Sequence, residues 1–360
     1  MNLKSLPICV LFAGAVAAQG FGAIYTLDND ASDNSVQVTL RLPNGSLYPF
    51  ASFATAGSGT GAGLGSQGAL AASNDGHVLL AVNPGSNEVT LFRVLFGVFL
   101  WRQDVEDTGG VRPTSVAMHD QFVYVLNADS DSVRGFRRQG GNLVPIPGAV
   151  YPLSGNGVAA AQVGFSPDGH FLVVTERATD TIDVFRVLPN GRLGAGAFQS
   201  SAGPTPFGFQ FRHDGALVVS EAAGGAAGAS TVSTYRIHPN GMLETLTAAA
   251  PTGQSAACWI ALAPSSPFAY TTNTGSGTLS GFGLDATGHA MLLDPSGVSG
   301  DLGPDARPID AAFTPDGHFV YVLDAANDRI RALLRRPNGS LETLATSADT
   351  PDGSAGMIVR

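Results

Sequence analysis

Glu176 and Glu221 are the side chains of this chain whose type and spacing best suit proton transfer. Each closes a short apolar segment, Val173-Val174-Thr175-Glu176 and Val218-Val219-Ser220-Glu221. Glutamate is a poor turn former at such a position, where Asn or Asp commonly bond back to the chain. A pair of carboxylates serves as general acid and base when burial raises one of their pKa values. Five further segments carry Asp28, Asn83, Asn127, Asn273 and Asp324 at the equivalent place. Two roles are open for this set: bridging a turn to backbone groups, or lining a ligand site. With Asp310, the acidic members could also hold a hard cation such as Ca²⁺ through oxygen ligands. Gln67, Gln162, Cys258, Trp259 and Asp310 stand near the starts of other segments, and such a group suits a small polar ligand with a flat apolar face. Arg177 is placed to receive a ligand carboxylate.

Histidine supplies no comparable device. His77, His170 and His318 each follow the Gly of an Asp-Gly turn, and His119 and His213 lie within equivalent turns. These five belong on the face opposite the proposed site, while His238 and His289 fall near other hairpins. A Ser-His-Asp triad and a His-rich zinc site therefore have no support. The run Gly57-Ser58-Gly59-Thr60-Gly61-Ala62-Gly63-Leu64-Gly65 does not match a dinucleotide fingerprint and leads into a strand. It reads as a flexible loop over the site, as does the small-residue stretch Ala222–Ser230.

The elements that position these residues recur seven times. The copies centre on Ala23–Asp28, Val78–Asn83, Phe122–Asn127, Phe171–Glu176, Leu217–Glu221, Phe268–Asn273 and Phe319–Asp324. Most are preceded by an Asp-Gly turn and followed by an alternating strand, then by a turn such as Pro189-Asn190-Gly191. Asn-Gly and Asp-Gly supply the positive φ that tight hairpins need. A period of roughly 45–50 residues with short strands predicts an all-β, seven-bladed β-propeller with four strands, A to D, per blade. Inner A strands are expected at 67–72, 113–118, 162–166, 207–212, 258–263 and 309–314. The first copy lacks one, and residues 353–360 resemble 66–71, so the C-terminal strand is expected to join the N-terminal blade and close the ring. The site face is the one carrying the D–A and B–C loops.

Composition narrows the function classes. The net charge of −10 over 360 residues, without a basic run, disfavours nucleic acid or an anionic membrane as partner. Lys4, the apolar stretch 6–16 and Val16-Ala17-Ala18 read as a secretory signal over 1–18, leaving one domain over 19–360. Secretion to an extracellular or periplasmic space follows, with a monomer expected and no membrane span. Cys9 leaves with the signal, so Cys258 remains alone and no intrachain disulfide forms. Asn44-Gly45-Ser46 and Asn338-Gly339-Ser340 match the glycosylation acceptor pattern.

Several stretches carry a family resemblance across the mature chain. They are Gly65-Ser66-Gln67-Gly68-Ala69-Leu70 leading to Ala81-Val82-Asn83-Pro84-Gly85-Ser86, Ala161-Gln162-Val163-Gly164-Phe165-Ser166-Pro167-Asp168-Gly169 with Val174-Thr175-Glu176, Thr205-Pro206-Phe207-Gly208-Phe209, and Ala256-Ala257-Cys258-Trp259. With them the chain resembles the secreted branch of the seven-bladed lactonase-like propellers, a superfamily that includes 6-phosphogluconolactonases and carboxy-cis,cis-muconate cyclases. The resemblance implies the fold and an activity that opens or closes a lactone ring in a small organic or sugar acid. The strand Ala159-Ala160-Ala161-Gln162-Val163 has no histidine where phosphogluconolactonase-type members carry one, so no catalytic histidine is carried over. The catalytic expectation therefore rests on Glu176 and Glu221, with Gln67, Asn83, Asn127, Gln162, Arg177, Cys258, Trp259, Asn273, Asp310 and Asp324 around a small-molecule ligand at the channel mouth. The alternative is a non-catalytic propeller whose loop face binds a glycan, peptide or protein.

Overall fold

The computed structural model describes residues 21–360, and the signal expected at 1–18 lies outside them. Seven antiparallel sheets, each built around four successive strands A to D, form the blades. The seven copies found in the sequence are the B strands, such as Val78–Asn83, Phe171–Glu176 and Phe319–Asp324, and each lies between an A and a C strand. Their nearly unbroken apolar runs follow from this position, since both faces of a B strand pack against neighbouring blades. The outer D strands, such as Leu47–Ala54 and Leu193–Ser200, are mostly exposed or half-buried.

Closure follows the predicted route. Ala355–Val359 is the inner strand of blade 1, paired antiparallel with Gly22–Leu27 in the register Ile24↔Val359, Tyr25↔Ile358 and Thr26↔Met357. Arg360 and Ala23 exchange both backbone hydrogen bonds, and Arg41 Nε donates to the Arg360 carbonyl at 2.7 Å. Tyrosines three residues before Asp28, Asn127, Asn273 and Asp324 tie four of the blades to the next. Tyr25, Tyr124, Tyr270 and Tyr321 donate from their hydroxyls to the carbonyls of Gly97, Gly191, Gly339 and Gly45. The Tyr321 bond spans the closure, from blade 7 to blade 1. Desolvation pushes the hydroxyls of Tyr25 and Tyr321 up to about 12, so they remain donors.

Two elements depart from expectation. The inner strand of blade 2 is only Leu70–Ala72, because Ser66-Gln67-Gly68 leaves its sheet and enters the channel. In blade 6 the outer edge is split into Ala290–Leu292 and Gly300–Asp301, both paired with Thr278–Leu284.

Removing residues 353–360 takes away the inner strand of blade 1 and leaves Gly22–Leu27 as an edge. The truncated protein should lose its cooperative thermal transition and become protease-sensitive. Tyr321→Phe should fold and melt a few °C lower, corresponding to about 1 kcal/mol for one buried hydrogen bond.

Candidate active site in the central channel

The seven inner strands converge on an axis that backbone groups alone cannot satisfy, and the segment Ser66-Gln67-Gly68 closes it. Gln67 N donates to the Ala161 carbonyl of blade 4, and the Gly68 carbonyl accepts from Val116 N of blade 3. The Gln67 side chain reaches blade 6, donating to the Ile260 carbonyl at 2.9 Å and accepting from Ile260 N at 3.2 Å. Trp259 Nε1 answers from blade 6 by donating to the Ser66 carbonyl at 3.0 Å. Gly208 makes room for this crossing, since a Cβ there would lie 2.1 Å from Gln67 Oε1 and 2.6 Å from the Cys258 carbonyl. Gln162 ties blade 4 to blade 5 in a similar way, bonding both N and O of Phe209.

This crossing separates an upper pocket of about 160 Å³, on the face of the D–A and B–C loops, from a lower compartment of about 400 Å³ that faces the A–B turns. Asp310 borders both. Its residue is 3% exposed, and Ala311 N donates to its Oδ1 at 3.1 Å. Burial raises its pKa to about 7, outweighing the amides of Ala311 and Met357, which favour the charged form. A carboxyl poised near neutrality in a cavity has the protonation behaviour a general base needs.

The upper rim adds a cation and flat rings. Arg177 Nε donates to the Ala159 carbonyl at 3.0 Å, and its guanidinium lies over the Phe207 ring at 5.2 Å. Phe207 in turn packs on Trp259 with ring centroids 4.9 Å apart. Desolvation, more than the charge of nearby Arg112, lowers the Arg177 pKa. Trp259 lines the upper pocket with Ser66, Ile309 and Asp310. Cys258 is buried beside this group, and desolvation raises its thiol to about 11, so it stays protonated.

Of the residues singled out in the sequence, Gln67, Gln162, Trp259 and Asp310 line the two compartments, with Arg177 and Cys258 next to them. The seven-fold set ending the B strands is placed elsewhere. Each of these side chains is buried, and four of them hydrogen-bond the loop that enters their blade. Glu176 Oε1 accepts from Ser154 N at 2.9 Å, and its Oε2 accepts from the hydroxyls of Ser154 and Thr179, both at 2.5 Å. Glu221 accepts from Ser201 Oγ at 2.9 Å, Gly203 N at 2.8 Å and the Thr231 hydroxyl. Asp324 accepts from Arg307 N, and Asn127 donates to the Thr108 carbonyl. Asn83 packs against Gly57, where a Cβ would lie 2.4 Å from its side chain. Asn273 instead bonds Thr278 and Ser280 on its own C strand, and Asp28 accepts from Ser35 and Gln37 on its own.

Neither of the paired glutamates expected to act as acid and base, Glu176 and Glu221, lines either compartment, and their oxygens accept from hydroxyl and amide donors of the loops. Among the described residues, no three His, Cys, Asp or Glu side chains come together as a metal site.

Sequence reasoning missed Asp183. It lies on the C strand of blade 4, opposite Val174, at 0% exposure, with no donor reaching either carboxyl oxygen. Burial, and then the neighbouring Glu176, raises its pKa to about 9. The signal was present as a lone charge inside the apolar alternation Ile182-Asp183-Val184. Thr90, Ser233 and Ser280 occupy the matching position in blades 2, 5 and 6.

The seven-bladed lactonase family model matches residues 32–151, 142–223 and 220–356. The chain belongs to this family. Among solved structures, this lactonase-family propeller superposes on a proposed 6-phosphogluconolactonase of Bacteroides fragilis NCTC 9343, with TM-score 0.79, 19% identity, and coverage of 97% of this chain and 100% of that one. It likewise superposes on a periplasmic gluconolactonase of Pseudomonas aeruginosa, with TM-score 0.76, 23% identity, and coverage of 94% and 99%. A hypothetical selenium-binding protein of Sulfolobus tokodaii reaches TM-score 0.66 at 10% identity, over 94% and 93% of the two chains. At these identities the likeness is one of fold. No curated protein sequence matches the chain.

The buried Asp183 gives this lactonase-family propeller a defined pH response. Its folded pKa lies above the unfolded value of 3.8, so the unfolded chain releases this proton first and stability falls as pH rises between about 4 and 9. Asp183→Asn should match the wild type in thermal melts below pH 4 and exceed it by several °C at pH 8.

Proposed function

We propose that this chain is an exported lactonase that hydrolyses the lactone of a small sugar or organic acid in the upper pocket. The observation that carries the reading is the buried carboxyl of Asp310, near neutrality and beside Trp259 in the upper pocket. In this mechanism ionised Asp310 removes a proton from a water molecule as that water attacks the lactone carbonyl. The tetrahedral intermediate collapses by breaking the bond to the ring oxygen, which takes up a proton and leaves as a hydroxyl. The product is the open hydroxy acid. Trp259, its Nε1 held by Ser66, offers a fixed flat surface to the ring. Arg177 at the rim neutralises the carboxylate that hydrolysis creates. Family membership supports ring opening as the reaction class, and the structural neighbours that are named as gluconolactonases act as support for a sugar acid lactone.

Titration of released acid with glucono-lactone as the probe tests the reading. Turnover should rise with pH through about 7, as the Asp310 base ionises. Asp310→Asn should lower kcat by about 10²–10⁴-fold, the range of a lost general base, with thermal stability retained. Glu176→Gln should lower the melting temperature and leave turnover in place. An Asp310→Asn variant as active as the wild type would remove the proposed base. Absence of turnover in the wild type, with glycan or peptide binding to the loop face, would replace the enzyme by the binding module.

Export rests on the leader-like residues 1–18. Expression of the whole sequence in a secreting host should yield a mature chain whose first residue is Gln19, read by N-terminal sequencing. Retention of Met1 on secreted protein would contradict the assignment.

A further inference from the structure

The lower compartment takes no part in the reaction proposed above, yet it is the larger of the two spaces in the channel, at about 400 Å³. Apolar side chains from five different blades, Leu70, Val116, Met118, Leu262, Phe313 and Ile358, line it between exposed polar groups of the inner strands. The polar groups at its closed end are largely spent. Gln67 is bound to both backbone groups of Ile260, and Gln162 to both of Phe209. Gln210 Oε1 accepts from Leu262 N.

Asp310 is different. It is a charge-capable group at the inner end of the chamber, and among the described residues backbone amides are its only hydrogen-bond partners. One other ionisable side chain lines the compartment, Arg360, which donates from Nη2 to the Ser73 carbonyl at 2.6 Å. Arg360 lies three strand positions beyond Met357, whose amide serves Asp310, about 10 Å along the axis at the mouth. A buried carboxylate is costly unless a positive group pairs with it. A single acid that no cation pairs, in a chamber lined by both apolar side chains and strand polar groups, suits a cationic ligand.

We propose that the lower compartment is a second ligand site, which takes a small organic cation, a protonated primary amine on an apolar body, with its ammonium on Asp310. The ammonium supplies three donors to a carboxylate that backbone amides alone serve. The apolar body replaces water along the inner strands. Asp310 also borders the upper pocket, so an amine bound below holds this carboxylate ionised and couples the two compartments. The site stands on the geometry of the lower chamber and does not depend on lactone turnover.

Isothermal titration calorimetry of the mature protein with n-hexylammonium, hexanol and hexanoate tests the proposal without any activity readout. At pH 8 hexylammonium should bind, hexanol should bind at least tenfold more weakly, and hexanoate should give no heat. Asp310→Asn should weaken hexylammonium at least tenfold. Leu262→Trp, which fills the chamber from its wall, should abolish binding while Asp310 remains. From pH 8 to pH 6 the wild-type affinity should fall about tenfold, because a proton then competes with the amine for Asp310. Equal affinity for hexanol, unchanged binding by folded Asp310→Asn, or no binding of hexylammonium at all would overturn the proposal. If hexylammonium binds through Asp310 and no lactone is hydrolysed, the second site stands and the lactonase reading fails.

Discussion

Everything in this molecule depends on one strand pairing. Ala355–Val359 must find Gly22–Leu27 across the whole length of the chain before the seventh blade has a neighbour on both faces. Until it does, the apolar faces of blades 1 and 7 are open and Gly22–Leu27 is an unpaired edge, a template for aggregation. No disulfide assists, since Cys258 is the sole cysteine among the described residues. The closing contacts are ordinary in kind: a ladder of backbone bonds, Arg41 on the Arg360 carbonyl, Tyr321 on Gly45, and the cluster joining Ile24 and Leu47 to Leu323 and Ile330. Their weight comes from position, because together they convert six stacked interfaces into seven.

Closure then creates a difficulty on the axis. Seven inner strands point side chains and partly unsatisfied backbone groups at a narrow space where water is scarce. The chain answers with side-chain amides that imitate a neighbouring strand: Gln67 on Ile260, Gln162 on Phe209, Gln210 on Leu262. Blade 2 gives up half of its inner strand so that Ser66-Gln67-Gly68 can cross the gap. The same low-polarity setting raises Asp310, so the feature that stabilises the axis also tunes the group assigned to chemistry.

The loops on the upper face are held by a different device. One residue at the end of each B strand is buried and polar, and in blades 3, 4, 5 and 7 it hydrogen-bonds the loop that enters the blade. Asn83 is closely approached by Gly57, and Glu221 is approached as closely by Gly203, where a Cβ would fall 2.2 Å from Oε2. Glutamates in blades 4 and 5 reach several hydroxyls of their loops. Asp183 bears the cost, because two carboxyls in one dry space cannot both ionise easily.

Periodicity alone determined the blade number, the order of strands and the closing strand, since alternating burial and Asn-Gly turns are local and each repeat confirms the next. The chemistry types around the channel were also visible, with Gln67, Gln162, Trp259, Asp310 and Arg177 recognised from their places at strand starts and ends. Only the tertiary structure decided which of these face an empty volume. Glu176 and Asp310 are both carboxylates near the site face in the sequence. The first is surrounded by three loop donors and the second by backbone amides beside two cavities, and residues distant in the sequence, Ser154 for one and Met357 for the other, make that difference. Burial and hydrogen bonding are sums over such distant neighbours, and a repeat pattern carries no record of them.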